Sequence, residues 1–272
     1  MMKGEVFEKI FKASKGLGIP TFSIPHGLNI YTNSDLHQDY ITNLKRGILP
    51  NFSSWNQYDH IIVQTKYHQE HLIRFGLLRS KLHVWGSLRF CSSWQIINSK
   101  INKKFTSKND SVDKVKVVIM MPHWNYNIKK NETINLIKEI MKLKNIYLIV
   151  KDHTRGDTGS FPENEKNELS IKTNIEFDTS SSSTSLIDWS DLIINCGSSI
   201  GIEAIDKDKP VIYPKYLHSN KSIHDYINVT YNASNSGEVI EIIENLKINS
   251  FEPVKKENKD RFMSIMVYGG KE

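Results

Sequence analysis

The chain has little cysteine: Cys91 and Cys196 are the two among 272 residues. They lie far apart, so a disulfide framework is excluded, a cysteine-based zinc site has too few ligands, and a reducing compartment is expected. Long apolar runs are missing too. The longest, such as 117–122 and 192–194, fall far short of the roughly 20 residues that span a bilayer. The opening segment MMKGEVFEKIFKASKG alternates charged with apolar residues and holds no uninterrupted signal-peptide core. These absences predict a soluble, cytoplasmic protein.

Neither sign of charge dominates. Lys plus Arg number 36 against 30 Asp plus Glu, a formal net charge of +6, and the pI is near 9.0. So small an excess suits an anionic small ligand, a membrane surface or nucleic acid and does not choose among them. The basic residues are scattered and no aromatic–basic strand motif is present, which argues against nucleic acid as a partner. No repeat of 20–50 residues is visible. No GK[ST] follows a glycine-rich turn, and no full G-x-G-x-x-G occurs, so neither a Walker loop nor the complete dinucleotide fingerprint is present.

What is present is ordinary globular composition, 39% hydrophobic and 24% charged, with a mean hydropathy of −0.42. The length fits two modest domains or one large one. Val6, Phe7, Ile10 and Phe11 sit at helical spacing, and Gly16-Leu17-Gly18 stops that helix. A β-rich run follows at 19–27 (IPTFSIPHG), then a strand at 60–64, a helix from Lys66 to about Phe75, and a strand and turn at 82–90. Strand, helix and strand in succession favour parallel β-α-β units. Residues 92–113 turn polar, rich in Lys, Ser and Asn, and the domain boundary is expected there. A long surface loop within one domain is the alternative.

The second half repeats the alternation more clearly. Strands are expected at 114–122, 145–153, 174–178, 192–199 and 209–214. Helices are expected at 131–143, 185–191, 200–208 and 236–247. Continuous rather than alternating β-branched runs mean strands covered on both faces, hence a parallel sheet with helices on each side. The expected class is α/β with two Rossmann-like parallel-sheet domains. Residues 1–100 form a partial first domain, 114–250 a ligand-binding second domain, and 251–272 a tail.

Ligands of open parallel sheets bind at the carboxyl ends of the strands. The polar residues just after the strands are therefore the candidates: His26-Gly27, Gly86-Ser87, His123, Lys151 with His153, Asp178-Thr179, and Gly197-Ser198-Ser199. The sharpest local feature is CGSSIGIEAIDKDKP at 196–210. Gly197 lets the strand turn. Ser198 and Ser199 can cap the next helix and aim backbone N–H groups at an anion. Gly201 permits a close approach by a ligand or a neighbouring strand. Glu203, one turn on, can accept hydrogen bonds from two ribose hydroxyls. An ordinary strand–cap–helix junction with a surface glutamate reads the same residues equally well.

Among ten histidines, His26, His123 and His153 stand at strand ends, where an imidazole can exchange a proton near neutral pH. A lone histidine is more often structural. His68 and His71 are three apart on a predicted helix, but no third ligand completes a metal site. Lys151 can neutralise a phosphate, or be one more solvated lysine.

With these residues in view, the chain resembles the C-terminal two-thirds of GT-B fold glycosyltransferases and their relatives that polymerise bacterial surface polymers. It is most similar to CDP-glycerol glycerophosphotransferases of teichoic acid synthesis and to capsule polysaccharide transferases. IPTFSIPHG, HVWGSLRF, VVIMMPHW, YLIVKDH and FDTSSSSTSLIDWSDLIINCGSSIGIEAIDKDKPVIYP carry the resemblance, across most of residues 19–215. UDP-sugar 2-epimerases share the architecture and a similar Ser/Gly-then-Glu turn. The resemblance implies His26 as the candidate catalytic or acceptor-side residue. It implies His123, Lys151, His153, Gly197, Ser198, Ser199 and Glu203 as nucleotide and phosphate contacts. Asp188 and Trp189 carry less weight.

Two departures stand out. Family N-terminal domains carry several β-α units before the His-Gly strand and this chain has one helix, so the first domain reads as incomplete. Glycerophosphotransferases often show Asp-Tyr before the paired serines, where this chain has Cys196-Gly197, which leans towards a sugar-nucleotide donor.

The implied function is a nucleotide-sugar-dependent glycosyltransferase of capsule, lipopolysaccharide or teichoic acid synthesis. It would need no metal and no cofactor, because hydrogen-bond donors can stabilise the leaving phosphate. Its partners would be a nucleotide-sugar donor and a glycan or lipid-linked acceptor, with peripheral contact at the inner membrane's cytoplasmic face. The alternatives are CDP-glycerol-type glycerophosphotransfer, sugar-nucleotide 2-epimerisation and a truncated, non-catalytic nucleotide-binding partner.

Overall fold

Runs rich in Val and Ile form strands, and amphipathic stretches between them form helices. The structure, a computed structural model, describes residues 5–25, 27, 42–43, 45–107, 113–124, 128–153, 161–172, 174–219, 221–247 and 254–269. The chain divides into two compact units. The described residues of the first lie within 5–27, 43–91 and 262–269. Those of the second lie within 92–261, with Thr42.

The first unit opens with α1 (Glu5–Gly16), which Gly18 ends in a left-handed conformation, φ +65°. Its sheet holds three parallel strands in the order β1 (Phe22–Ser23), β2 (His60–Val63), β3 (Leu82–Val84). The β-rich run expected at 19–27 yields two strand residues. Pro20 and Pro25 bracket it, and proline has no N–H to give a ladder. Asp59 fastens this edge: its carboxylate accepts from Thr21 N and Thr21 Oγ1, both at 2.8 Å, and from Lys15 Nζ. The Lys15 hydrogen bond, with those of Thr21, holds the Asp59 carboxyl far below the usual range. Ile61, Val63, Leu82 and Leu77 form a small core with α2 (Lys66–Arg74) and the 3₁₀ turn Ser53–Gln57. Thr65 caps α2, accepting from His68 N.

The opposite face carries Phe22, His60 and Ile62, then His83 and Trp85. Phe22 stacks on His60 at 4.6 Å, and His83 lies 5.0 Å from His60 and 5.7 Å from Trp85. Phe22 is 46% exposed and Trp85 67%.

The second unit is a parallel sheet of six strands: β4 (Val115–Met120), β5 (Ile146–Lys151), β6 (Ile175–Asp178), β7 (Leu192–Asn195), β8 (Val211–Pro214) and β9 (Tyr231–Ala233). Their spatial order is β6-β5-β4-β7-β8-β9. Every residue of β5, β7 and β8 is buried, as the continuous apolar runs predict. The accompanying helices are α3 (Ser92–Ile101), α4 (Lys130–Ile140), α5 (Glu163–Ser170), α6 (Ser183–Trp189), α7 (Ile200–Asp206), α8 (Ser236–Lys247) and the first part of α9 (Lys256–Met266). Leu136, Ile137 and Ile140 of α4 and Val239 and Ile243 of α8 bury their side chains in the core. Each such aliphatic side chain is worth about 1.5–3 kcal/mol.

Three expectations change. The polar stretch from Ser92 begins with α3, which groups with the second unit, so the first unit does not reach residue 100. The residues after α3 are tied to the second sheet: Phe105 packs edge-on against Trp189 at 5.3 Å, and Ser107 Oγ donates to Glu176 Oε2. Finally, the segment taken as a tail holds α9, whose Phe262, Met263 and Met266 are buried. Their spacing at i, i+1 and i+4 gives that helix an apolar stripe.

Candidate functional site

The sheet order of the second unit marks where a candidate site falls. From β4 the chain moves outward through β5 to β6, then crosses back to β7 beside β4 and continues outward to β8 and β9. The order reverses between β4 and β7, and a doubly wound sheet binds ligands in the crevice outside the carboxyl ends at that switch point. His123 follows β4, and Gly197–Ser199 follow β7. The two sequence features that pointed to a ligand thus follow the two strands between which the order reverses.

His153, two residues beyond the last residue of β5, joins them. Its ring lies edge-on to His123 with centroids 5.3 Å apart. Asp152 fixes the backbone there, its carboxylate accepting from His153 N at 2.9 Å and from Phe161 N at 3.0 Å. One buried carboxylate therefore holds the backbone amides of both His153 and Phe161.

Lys151 does not stand as an open cation. It is 5% exposed, and its Nζ donates to Asp178 Oδ2 at 3.0 Å. Burial alone would push the Asp178 carboxyl up. Hydrogen bonds from Ser181 and Lys151, with the lysine's charge, outweigh it and hold the group below its ordinary value.

The turn after β7 is built from within. Gly197 takes φ +95°, a left-handed conformation that suits glycine. The wholly buried Asn195 side chain brackets the next residue: Oδ1 accepts from Ser198 N at 3.0 Å, and Nδ2 donates to Ser198 O at 2.9 Å. This explains Gly201. A Cβ there would meet Asn195 Nδ2 at 2.2 Å, so the close approach is by a side chain of the protein itself. The amides of Ser198, Ile200, Gly201 and Ile202 all have internal acceptors. Ser199 occupies the N-cap of α7 without a side-chain capping bond. The turn consequently offers serine hydroxyls more than a row of open amides. Cys196 is fully buried, and burial pushes its thiol up to about 12, so it is no nucleophile.

Glu203 is 7% exposed on a helix whose residues 200–205 are all buried, not a surface glutamate. Lys207 Nζ stands 3.7 Å from Glu203 Oε1 and 2.6 Å from Asp188 Oδ1. His26 lies outside the described residues. Its neighbour Gly27 is anchored, its carbonyl accepting from the Gln64 side chain at 2.9 Å.

Asp152 and Asn195 are not among the residues that the sequence singles out, and Asp178 stands there as a strand-end candidate without a role. Each is a polar residue at or just beyond the end of a strand, and that signal is present in the sequence. His218 and His224, away from the strand ends in sequence, stand out little there. Tyr213 OH and His218 Nε2 share a hydrogen bond of 2.8 Å, and the ring of the fully buried His224 lies 5.1 Å from Tyr213. Burial, with the charge of His218, lowers His224 to about 4.

No protein-family model and no curated protein sequence matches the chain. Solved structures do. MnaA of S. aureus in its structure with UDP is similar over 96% of this chain and 66% of that one, with 16% identity and a TM-score of 0.58. UDP-GlcNAc 2-epimerase from Neisseria meningitidis bound to UDP-GlcNAc covers 93% of this chain and 71% of its own, at 14% identity and a TM-score of 0.55. The wall teichoic acid polymerase TagF covers 90% and 64%, at 15% identity and a TM-score of 0.50. The chain spans about two thirds of the length of these neighbours. At such identities the likeness is one of fold, and the fold is of the GT-B type that the sequence motifs resemble.

Proposed function

We propose that the second unit binds the nucleoside diphosphate part of a nucleotide sugar and that the chain serves glycosyl transfer in bacterial surface-polymer synthesis. The observation that carries the reading is the placement of His123 and the Gly197–Ser199 turn on either side of the β4/β7 switch point. Two of the structures of this fold hold UDP or UDP-GlcNAc.

In this reading the diphosphate lies across that crevice. The Ser198 hydroxyl accepts from Ile200 N, weakly at 3.4 Å, which leaves its own proton for a phosphate oxygen. The Ser199 hydroxyl and the imidazoles of His123 and His153 add donors. Negative charge grows on the diphosphate as the glycosidic bond breaks, and donors fixed in place stabilise it without reorganising. Glu203 receives the ribose hydroxyls. His26 takes the proton of the acceptor hydroxyl, and the acceptor is a glycan or lipid-linked glycan.

A panel of UDP-, CDP- and GDP-sugars, assayed by calorimetry and by product NMR, tests this. Binding of one of them, with a glycosylated product, is expected. Glu203→Gln should then weaken nucleotide binding by about tenfold or more, since hydrogen bonds to a charged group are each worth roughly 1.5–3 kcal/mol. A change within about twofold would return Glu203 to a mere partner of Lys207.

A second reading, 2-epimerisation of the sugar nucleotide, is favoured by the likeness to the N. meningitidis epimerase fold. Proton abstraction at a sugar carbon calls for carboxylates in the cleft, yet Asp152 and Asp178 are both engaged by donors of the protein. An epimeric nucleotide sugar as product, formed without any acceptor, would select this reading over transfer.

A further inference from the structure

The nucleotide reading gives Lys151 an obvious task, neutralising phosphate, and the geometry argues for a different one; the inference therefore rests on that reading and refines it. Lys151 and Asp178 are direct register partners across β5 and β6, with side chains 5% and 6% exposed and Nζ and Oδ2 3.0 Å apart. The aspartate has further duties. It accepts from Ser181 Oγ at 2.7 Å and from Ser181 N at 3.1 Å, which shapes the turn leading to the Ser182 cap of α6.

The backbones of the same two residues hold neighbouring strand ends. Lys151 O accepts from Met121 N at 3.0 Å, two residues before His123. Asp178 O accepts from Asp152 N at 3.1 Å, one residue before His153. The pair is thus the joint at which three strand ends meet. Withdrawing the ammonium towards a ligand would strand a buried carboxylate without its cation, which is strongly unfavourable.

We infer that Lys151 and Asp178 are a positioning pair, holding His153 and the Ser181 turn in place for the ligand, and that Lys151 itself makes no phosphate contact. Asp178 is ionised at neutral pH, because the hydrogen bonds from Ser181 and Lys151 outweigh the effect of burial.

The two roles predict opposite results for Asp178→Asn. If the pair positions the site, Asp178→Asn and Lys151→Met each weaken UDP binding by about tenfold, and the double variant is no weaker than either, as for residues acting as one unit. If Lys151 is a phosphate ligand, Asp178→Asn frees the ammonium, and UDP binds as well as to the parent or more tightly while Lys151→Met weakens it. That result overturns the inference. Unchanged UDP affinity in both variants, with a lowered melting temperature alone, also overturns it.

Should a single variant fail to fold, Lys151→Met/Asp178→Leu removes both buried charges. Weakened UDP binding in that variant is expected, and parental affinity contradicts the pair's role. Hydrogen exchange of the ligand-free protein separates the inference from the nucleotide reading. Faster exchange confined to 152–153 and 178–185 in Asp178→Asn supports positioning even if the parent binds no UDP, and unchanged exchange there contradicts it.

Discussion

The two sheets of this chain are built by one rule and finished differently. Both are wholly parallel, and parallel sheets are normally covered on both faces. The six-stranded sheet meets this condition, with every residue of β5, β7 and β8 buried. The three-stranded sheet covers one face with α2 and a 3₁₀ turn and leaves Phe22 and Trp85 half to two-thirds exposed on the other. Stability accordingly resides in different places: the second unit carries its own core, while the first derives little from its aromatic face.

The largest effect that would sharpen this contrast is expected in the second core. Leu148→Ala, at a wholly buried position of β5, should cost about 2–5 kcal/mol, read as a shift in urea midpoint. A loss below about 1 kcal/mol would break the comparison.

The second effect depends on pH. His224 titrates at about 4 in the folded protein, below its ordinary 6.5, because it is buried. Between those values the unfolded chain takes up a proton that the folded chain refuses, so stability falls as pH drops from 6.5 towards 4. The full loss amounts to about 3 kcal/mol at most. Urea unfolding at pH 7 and pH 5 should show this slope in the parent, and His224→Leu should flatten it.

The third effect lies in the turn after β7. Gly201→Ala forces a methyl group into Asn195 and should cost about 1–3 kcal/mol, as overpacking does. Asn195→Ala in the same chain should recover part of that loss. Full tolerance of Gly201→Ala would mean that Asn195 does not hold the turn. The smallest effect belongs to the exposed face of the first sheet, where Trp85→Ser should change stability by no more than about 0.5 kcal/mol.

Much of the second unit was legible because its signals are long and apolar. VKVVIM, IYLIVK and LIIN allow no reading but buried strands, and α4 shows its stripe of Ile134, Ile137 and Ile140. The strand ends followed, and with them His123, His153 and the Gly197–Ser199 turn. What escaped had weak or divided signals. Helix α5, ENEKNELS, buries one apolar residue, Leu169, so its periodicity is nearly silent. Strand β9 has three residues, too few to alternate. Gly201 was rightly singled out as a point of close approach, but nothing local reveals that the partner is Asn195, six residues back. Lys151 looked like any strand-end lysine, because its partner Asp178 lies 27 residues away and meets it only through the register of β5 with β6.

Binding of a nucleoside diphosphate at the β4/β7 switch point can be read residue by residue from amide chemical-shift mapping with UDP. The largest shifts are expected in residues 121–124 and 196–199, with smaller ones at 152–153 and 179–182 and none at the amino-terminal ends of the strands. Shifts centred on those amino-terminal ends, around Lys209 and Pro210, or no shifts at millimolar UDP, would contradict it.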